Sequence, residues 1–254
     1  DPKLNTQIND LLAFDPDAIF ICVPTPMKED SSQDISILRN VIDELIKLNS
    51  KALIILKSTV LPNHIQEIET LIPQFVYNPE FLRENHAVQD FIESKLIVFG
   101  GSFNSCNILE KIYSDYTKCT CKDYVYTDPT SASLIKYTIN SFLATKITFF
   151  NELNQLFQES GAEDSWDNFI NAISRDERIG SSHMQVPGHD GRLGFGGACL
   201  PKDSNALLSY AHNKNKKLNV LKAVLNTNNN IRASYNVPTE RELEQNIKFI
   251  KGDN

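Results

Sequence analysis

Between residues 18 and 126, short apolar runs alternate with stretches of helical periodicity. That alternation confines the chain to folds in which helices cover a parallel sheet through right-handed crossovers. Ala18 to Val23 is a continuous apolar run ending in Pro24-Thr25-Pro26, as expected of a strand buried on both faces and followed by a loop. Ser36 to Leu48 then sets Ile37, Leu38, Val41, Ile42, Leu45 and Leu48 at helical spacing. Further strands are expected at Ala52 to Leu56, Phe75 to Tyr77, Leu96 to Phe99 and Tyr124 to Tyr126, with a helix around His64 to Leu71. Ligands bind such sheets beyond the carboxyl ends of the strands, where Thr25, Ser58, Thr59, Asn78, Glu80 and Glu84 gather. The pattern alone suits a ligand platform and ordinary strand-to-helix turns equally well.

The periodicity changes at Asp128, which is placed to cap a helix with Pro129 in its first turn and no breaker before Gly161. Ile135, Ile139, Phe142, Phe149, Leu153 and Leu156 form one apolar stripe, and Leu134, Leu143, Ile147, Phe150 and Phe157 a second. A helix of roughly 48 Å with two apolar sides is expected between domains or subunits. Lys136 and Asn140 share a face of it, either as a tolerated irregularity of the core or as a pair of donors for an oxyanion. A short helix at Phe169 to Ile173, helices at Asn205 to His212 and Lys217 to Tyr235, and a polar helical tail over Glu240 to Ile250 complete the second half.

The net charge of -7 disfavours nucleic acid and anionic membrane as partners, since both reward a basic surface. No apolar run has the length of a membrane span and the first residues lack the regions of a signal peptide, so the expected compartment is the cytoplasm. Five cysteines do not suggest a disulfide framework. Cys119 and Cys121 have no second pair at zinc-ligand spacing, and His64, His86, His183, His189 and His212 are scattered, so no metal is expected.

The richest stretch chemically is Gly194 to Asp203, Gly-Phe-Gly-Gly-Ala-Cys-Leu-Pro-Lys-Asp. Its glycines permit unusual backbone conformations and close approach of a ligand. Cys199 follows directly, presented from a loop. Lys202 would favour the thiolate if it lies near, and Asp203 would accept a proton, orient water or cap a helix beginning at Ser204. The chemistry of this stretch alone fits a nucleophile, but it also fits a buried structural cysteine beside a glycine turn.

Taken together, Phe20 to Pro26 (FICVPTP), Lys57 to Val60 (KSTV), Asn78 to Glu84 (NPEFLRE), Ile135 to Glu152 (IKYTINSFLATKITFFNE), Asp176 to Gly180 (DERIG) and Gly194 to Asp203 (GFGGACLPKD) resemble, in order, the motifs of the UDP-glucose/GDP-mannose dehydrogenase family. The resemblance covers about residues 19 to 232. It implies an incomplete Rossmann-like parallel sheet domain (1–127), an all-helical central dimerisation domain with a long connecting helix (128–236) and a helical tail (237–254). The implied activity is an NAD-dependent, two-step oxidation of the C6 alcohol of a nucleotide sugar to a carboxylate, through a thiohemiacetal and a thioester on Cys199. UDP-glucose, giving UDP-glucuronate, is favoured by Asp176 to Gly180. GDP-mannose and UDP-N-acetylmannosamine are the alternatives.

The same resemblance assigns roles. Lys136 and Asn140 stabilise the developing oxyanion, Asp203 and Thr59 hold the water that acts as base, and Glu80 assists thioester hydrolysis. Val23, Thr25, Ser58, Thr59, Glu84 and Lys202 match cofactor-binding positions. Phe81, Leu82, Arg83, Lys136, Asn140, Gly194, Phe195 and Gly196 match substrate-binding ones. Arg178 would reach across a homodimer interface to the neighbouring subunit's substrate. The chain also departs from the family pattern. Its first glycine is Gly100, so the glycine-rich phosphate loop, the strand before it and the acidic residue for the adenosine ribose are missing. The family's second α/β domain is missing too, and the loop Val186 to Arg192 is longer than in the simplest members. The sequence thus reads as an incomplete dehydrogenase, with a non-catalytic dimerising module that lacks cofactor binding as the alternative. A cysteine hydrolase or acyltransferase using Cys199 without NAD is the weakest reading, because no histidine stands in a motif to serve as its base.

Overall fold

The computed structural model describes residues 4–83 and 86–251. It divides into two compact units, residues 1–25 with 33–136, and 26–32 with 137–254.

The first unit is built on a five-stranded sheet in chain order: β1 (Ala18–Ile21), β2 (Leu53–Leu56), β3 (Phe75–Tyr77), β4 (Val98–Gly101) and β5 (Val125–Thr127). The intervening helices are α1 (Ser36–Leu48), α2 (Pro62–Leu71), α3 (Ala87–Ile92) and α4 (Phe103–Tyr116). Every residue of β2 and β3 is buried because both faces are covered, which is why these strands read as unbroken apolar runs. Leu38, Ile42 and Leu45 of α1 and Ile65 and Ile68 of α2 pack with Ile54 and Leu56 on one face. Cys106, Leu109 and Tyr113 of α4 pack with Leu53, Ile55 and Phe99 on the other.

The all-parallel expectation needs one correction. β1, β2 and β3 are parallel, as are β4 and β5, but β3 and β4 are antiparallel, with Tyr77 opposite Gly100. The parallel connections carry helices of 13, 10 and 14 residues, whereas the β3–β4 connection carries only the six-residue α3. A helix that short does not return the chain along the sheet, as a parallel crossover requires.

α5 (Pro129–Glu159) is the long helix that the sequence predicts, and it runs from the first unit into the second. Asp128 caps it, accepting from the Ser131 N–H (2.9 Å) and hydroxyl (2.6 Å). The second unit adds α6 (Trp166–Ile173), α7 (Leu200–Asn213), α8 (Asn219–Arg232) and α9 (Glu240–Glu244). The two stripes of α5 do not separate cleanly into buried and exposed faces, since Ile135 and Leu153 of the first also pack inward and Leu134 of the second is exposed. Ile147, Phe150 and Phe157 pack inward with Phe195, Leu221, Leu225 and Trp166, while Phe142, Phe149 and Leu156 remain exposed at heptad spacing.

Two helix boundaries correct the sequence reading. α7 starts at Leu200 rather than Ser204, since Pro201 needs no partner for a missing N–H in a first turn. Cys199, and not Asp203, therefore occupies the N-cap position. The helix expected over Glu240 to Ile250 ends at Glu244. Asn246 adopts a left-handed conformation (φ 55°), its N–H bonds to the Leu243 carbonyl, and the Ile247 N–H bonds to that of Glu242, which closes the helix C-terminus. Among the described residues no helix is long and apolar enough to cross a membrane.

Candidate functional site

In the second unit the loop before Cys199 is held from beneath. Asn228, fully buried on α8, accepts from the Phe195 N–H (2.7 Å) and donates to the Phe195 carbonyl (2.9 Å). Asn151 of α5 accepts from the Gly194 N–H (2.8 Å). One turn beyond Asn228, Arg232 donates through Nη2 to Glu242 Oε1 (2.7 Å) and Asp190 Oδ2 (2.8 Å), and through Nη1 to the Leu193 carbonyl (3.4 Å). The side chains of Arg232 and Glu242 are 1% and 0% exposed. Glu242 also accepts from the N–H groups of Gly197 (3.3 Å) and Thr239 (2.7 Å). Burial opposes the charge on Glu242 and Asp190, but these donors outweigh it and hold both carboxyls below their ordinary range.

The glycines follow from this arrangement. Gly194 has φ 71°, in the left-handed region, and a Cβ on Gly196 would overlap the Arg232 guanidinium and the Glu242 carboxylate. Cys199 emerges from the loop exposed, and no two of the five cysteines are bridged. Its place at the N-terminus of α7 is where a helix dipole favours negative charge developing on sulfur. Behind it Asp203, 1% exposed, accepts from Asn140 Nδ2 (2.6 Å) and pairs with Lys202 Nζ (2.5 Å). The Lys202 ammonium is thus committed to Asp203. Arg178 is exposed and held bidentate by Asp176, which keeps the Arg178 guanidinium above and the carboxyl below their ordinary values.

In the first unit the strand ends are stitched to one another. The Ser58 hydroxyl donates to the Val23 carbonyl (2.6 Å), and the Thr59 carbonyl accepts from the Thr25 hydroxyl (2.8 Å) and Gln33 Nε2 (2.6 Å). Lys136 of α5 is buried, donates to the Glu80 backbone carbonyl, and lies 5.4 Å from the centre of the Phe81 ring. The Glu80 side chain pairs with Lys57 (2.8 Å). Phe81 and Leu82 are half-buried, and Arg83 is exposed and bound bidentate to Asp90, whose carboxyl it holds far below the ordinary range. Glu84 lies outside the described residues.

Several residues that build these groups were missed by sequence reasoning: Lys57, Asn151, Asn228, Arg232, Asp190 and Glu242. Helical spacing carried a signal for some. Asn140 and Asn151 lie three turns apart on α5, and Asn228 and Arg232 one turn apart on α8. Asn228 belongs to an asparagine run whose composition alone says nothing.

Two family models match the chain: the NAD binding domain of the UDP-glucose/GDP-mannose dehydrogenase family over residues 3–117, and the central domain of that family over residues 130–230. A UDP-glucose 6-dehydrogenase of Rickettsia bellii is 39% identical over 220 residues, which are 84% of this chain and 49% of that protein. UDP-glucose 6-dehydrogenase YwqF of Bacillus subtilis is 34% identical over 233 residues, 85% of this chain and 49% of its own. The solved structure of a UDP-glucose dehydrogenase from Pyrobaculum islandicum superposes with a TM-score of 0.73 at 31% identity, covering 84% of this chain and 50% of that one. The chain spans about half the length of the curated relatives it matches. With both domain models matching in order over sheet and helices, the chain belongs to the UDP-glucose/GDP-mannose dehydrogenase family.

Proposed function

We propose that the protein containing this chain oxidises the C6 alcohol of UDP-glucose to the carboxylate in two steps with NAD, using Cys199 as nucleophile. The observation that carries the reading is an exposed thiol at a helix N-terminus, on a glycine loop braced from beneath and backed by the Asn140–Asp203–Lys202 cluster. UDP-glucose is preferred over GDP-mannose and UDP-N-acetylmannosamine because the curated relatives above are named for it.

The strand-end residues fit the nicotinamide-proximal part of the cofactor. Val23, Thr25, Ser58 and Thr59 lie beyond the carboxyl ends of β1 and β2, cross-linked by their own hydroxyls into a rigid rim. No glycine precedes Gly100, so no residue here is assigned to the pyrophosphate. NAD, when bound, supplies the hydride acceptor for both oxidations.

In this reading the Cys199 sulfur adds to the aldehyde carbon, and the resulting thiohemiacetal keeps the aldehyde from escaping between oxidations. At the thioester level water attacks the acyl carbon, the C–S bond breaks and the thiolate returns. Asn140, already oriented by Asp203, donates to the oxygen on which charge develops. Lys136, Thr59 and Glu80 take the roles their motifs imply: a second oxyanion donor, a group on the water that acts as base, and assistance to hydrolysis. The exposed row Phe142, Phe149 and Leu156 supports a homodimer through α5, and a cytoplasmic location is part of the same proposal. The test is to follow NADH and uronate together with UDP-glucose and NAD. Two NADH per UDP-glucuronate are expected; one NADH with release of free aldehyde would refute the covalent route.

A further inference from the structure

Beyond β2 and β3 the first unit holds a buried polar cluster in which only Glu80 has a role in the proposed reaction. The Lys57 side chain is 14% exposed, and its ammonium has an acceptor for each of its donors: Glu80 Oε2 (2.8 Å), Asn78 Oδ1 (3.1 Å) and the Tyr113 hydroxyl (3.2 Å). Two of the three are buried and held by further bonds or packing. Asn78 is buried, its Nδ2 donates to the Val98 carbonyl (3.0 Å), and its Oδ1 accepts from the Tyr113 hydroxyl (2.5 Å). The Tyr113 ring is buried against Phe99 (5.4 Å) and Phe91 (5.7 Å). Burial opposes the Lys57 charge, yet Tyr113 and Glu80 outweigh it, so its net shift is upward and the ammonium is retained.

Glu80 is the most exposed member. Its side chain is 38% exposed, and besides Lys57 its carboxylate accepts only the N–H of its neighbour Phe81 (3.2 Å) among the described residues. That contact lies within a single residue step and does not select a direction for the carboxylate.

We propose that Lys57 is a positioning residue for Glu80: an ammonium anchored by Asn78 and Tyr113 that fixes the direction of the Glu80 carboxylate for thioester hydrolysis. The inference rests on the reading of Glu80 as the group that assists hydrolysis. In this proposal Lys57 acts through Glu80. The bland alternative is that Lys57 serves only to satisfy Asn78 and Tyr113 inside the fold.

Lys57→Met, Tyr113→Phe, Glu80→Gln and the Lys57→Met/Glu80→Gln double variant are compared in the full-length protein, with circular dichroism to confirm folding. Lys57→Met is expected to lower kcat roughly ten- to a hundredfold, the range for loss of a group that orients a functional one, with kcat/KM unchanged and KM falling in step, because only the step after acylation is slowed. A burst of two NADH per site should precede the slow phase, and intact mass should show acyl-enzyme accumulating on Cys199. Tyr113→Phe, which removes only a hydroxyl, should accumulate acyl-enzyme to a smaller extent. In the Glu80→Gln background Lys57→Met should have no further effect. If Glu80→Gln slows hydrolysis but Lys57→Met or Tyr113→Phe does not, or the effects multiply, the positioning role is overturned while the reading of Glu80 stands. If Glu80→Gln leaves hydrolysis unchanged, both fall.

Discussion

Gly196→Ala is a severe test of the packing beneath the cysteine loop. The added methyl would occupy the space of the Arg232 guanidinium and the Glu242 carboxylate. Neither yields cheaply, because Arg232 is 1% exposed and is also tied to Asp190 and the Leu193 carbonyl. Separating a buried ion pair leaves uncompensated charge and costs about 3–5 kcal/mol. Gly191→Ala is the control. Gly191 needs a left-handed conformation (φ 72°), which Gly196 does not, but a Cβ there meets nothing within 4 Å, so its cost is only the backbone term of about 1–2 kcal/mol. Trp166 is the single tryptophan of this chain and is buried in the second unit with Phe150, Ile170 and Met184, so its fluorescence during urea unfolding reports that unit. The expected outcome is a loss for Gly196→Ala about 2–3 kcal/mol larger than for Gly191→Ala, shrinking to under about 1 kcal/mol in an Arg232→Met/Glu242→Leu background. Equal losses for the two alanines, or a loss at Gly196 that persists without the ion pair, would refute the overlap argument.

Other outcomes follow from the same geometry. Cys199→Ser should abolish UDP-glucuronate formation in the full-length protein while leaving urea stability within about 0.5 kcal/mol, as expected at an exposed position; product analysis and unfolding curves check both halves. The protein should be at least a dimer by light scattering at micromolar concentration, and Phe142→Ser with Phe149→Ser should shift it to monomer and make the Trp166 unfolding transition independent of protein concentration. Glu242 and Asp190 have folded pKa values below their unfolded ones, so the unfolded chain takes up their protons first as pH falls. Stability of the second unit should therefore be flat above about pH 5 and decline on acidification through the ordinary carboxylate range near 4. Glu242→Gln, followed by urea titrations across that range, should give a lower plateau and a shallower decline.

What was legible in the sequence is mostly what local physics decides. The strand Phe75–Tyr77 and helix Ser36–Leu48 fall where the apolar spacing puts them, and the Asp128 cap forms as its residue type suggests. The direction of β4 was not legible, because it depends on whether a short helix can carry the chain back. The start of α7 was placed at Ser204 with Asp203 as a candidate cap, one turn late, because Pro201 belongs in a first turn rather than before the helix. Cys199 stood out because its glycines and thiol are unusual in themselves. Its support did not, because Asn228, Arg232 and Glu242 act on the loop over separations of 33 to 45 residues, and surface and buried charges look alike in a sequence. Lys57 was hidden for the same reason: its partners Asn78, Glu80 and Tyr113 converge only once β2, β3 and α4 are assembled.

The central claim is that Cys199 holds the sugar covalently between oxidation and hydrolysis. It is tested most directly by acid-quenching the full-length protein during turnover of UDP-glucose and NAD, then locating any adduct by peptide mass. The account predicts a UDP-glucuronyl thioester on the peptide containing Cys199, absent without NAD and absent in Cys199→Ser. An unmodified Cys199 throughout turnover, with Cys199→Ser still forming UDP-glucuronate, would contradict it.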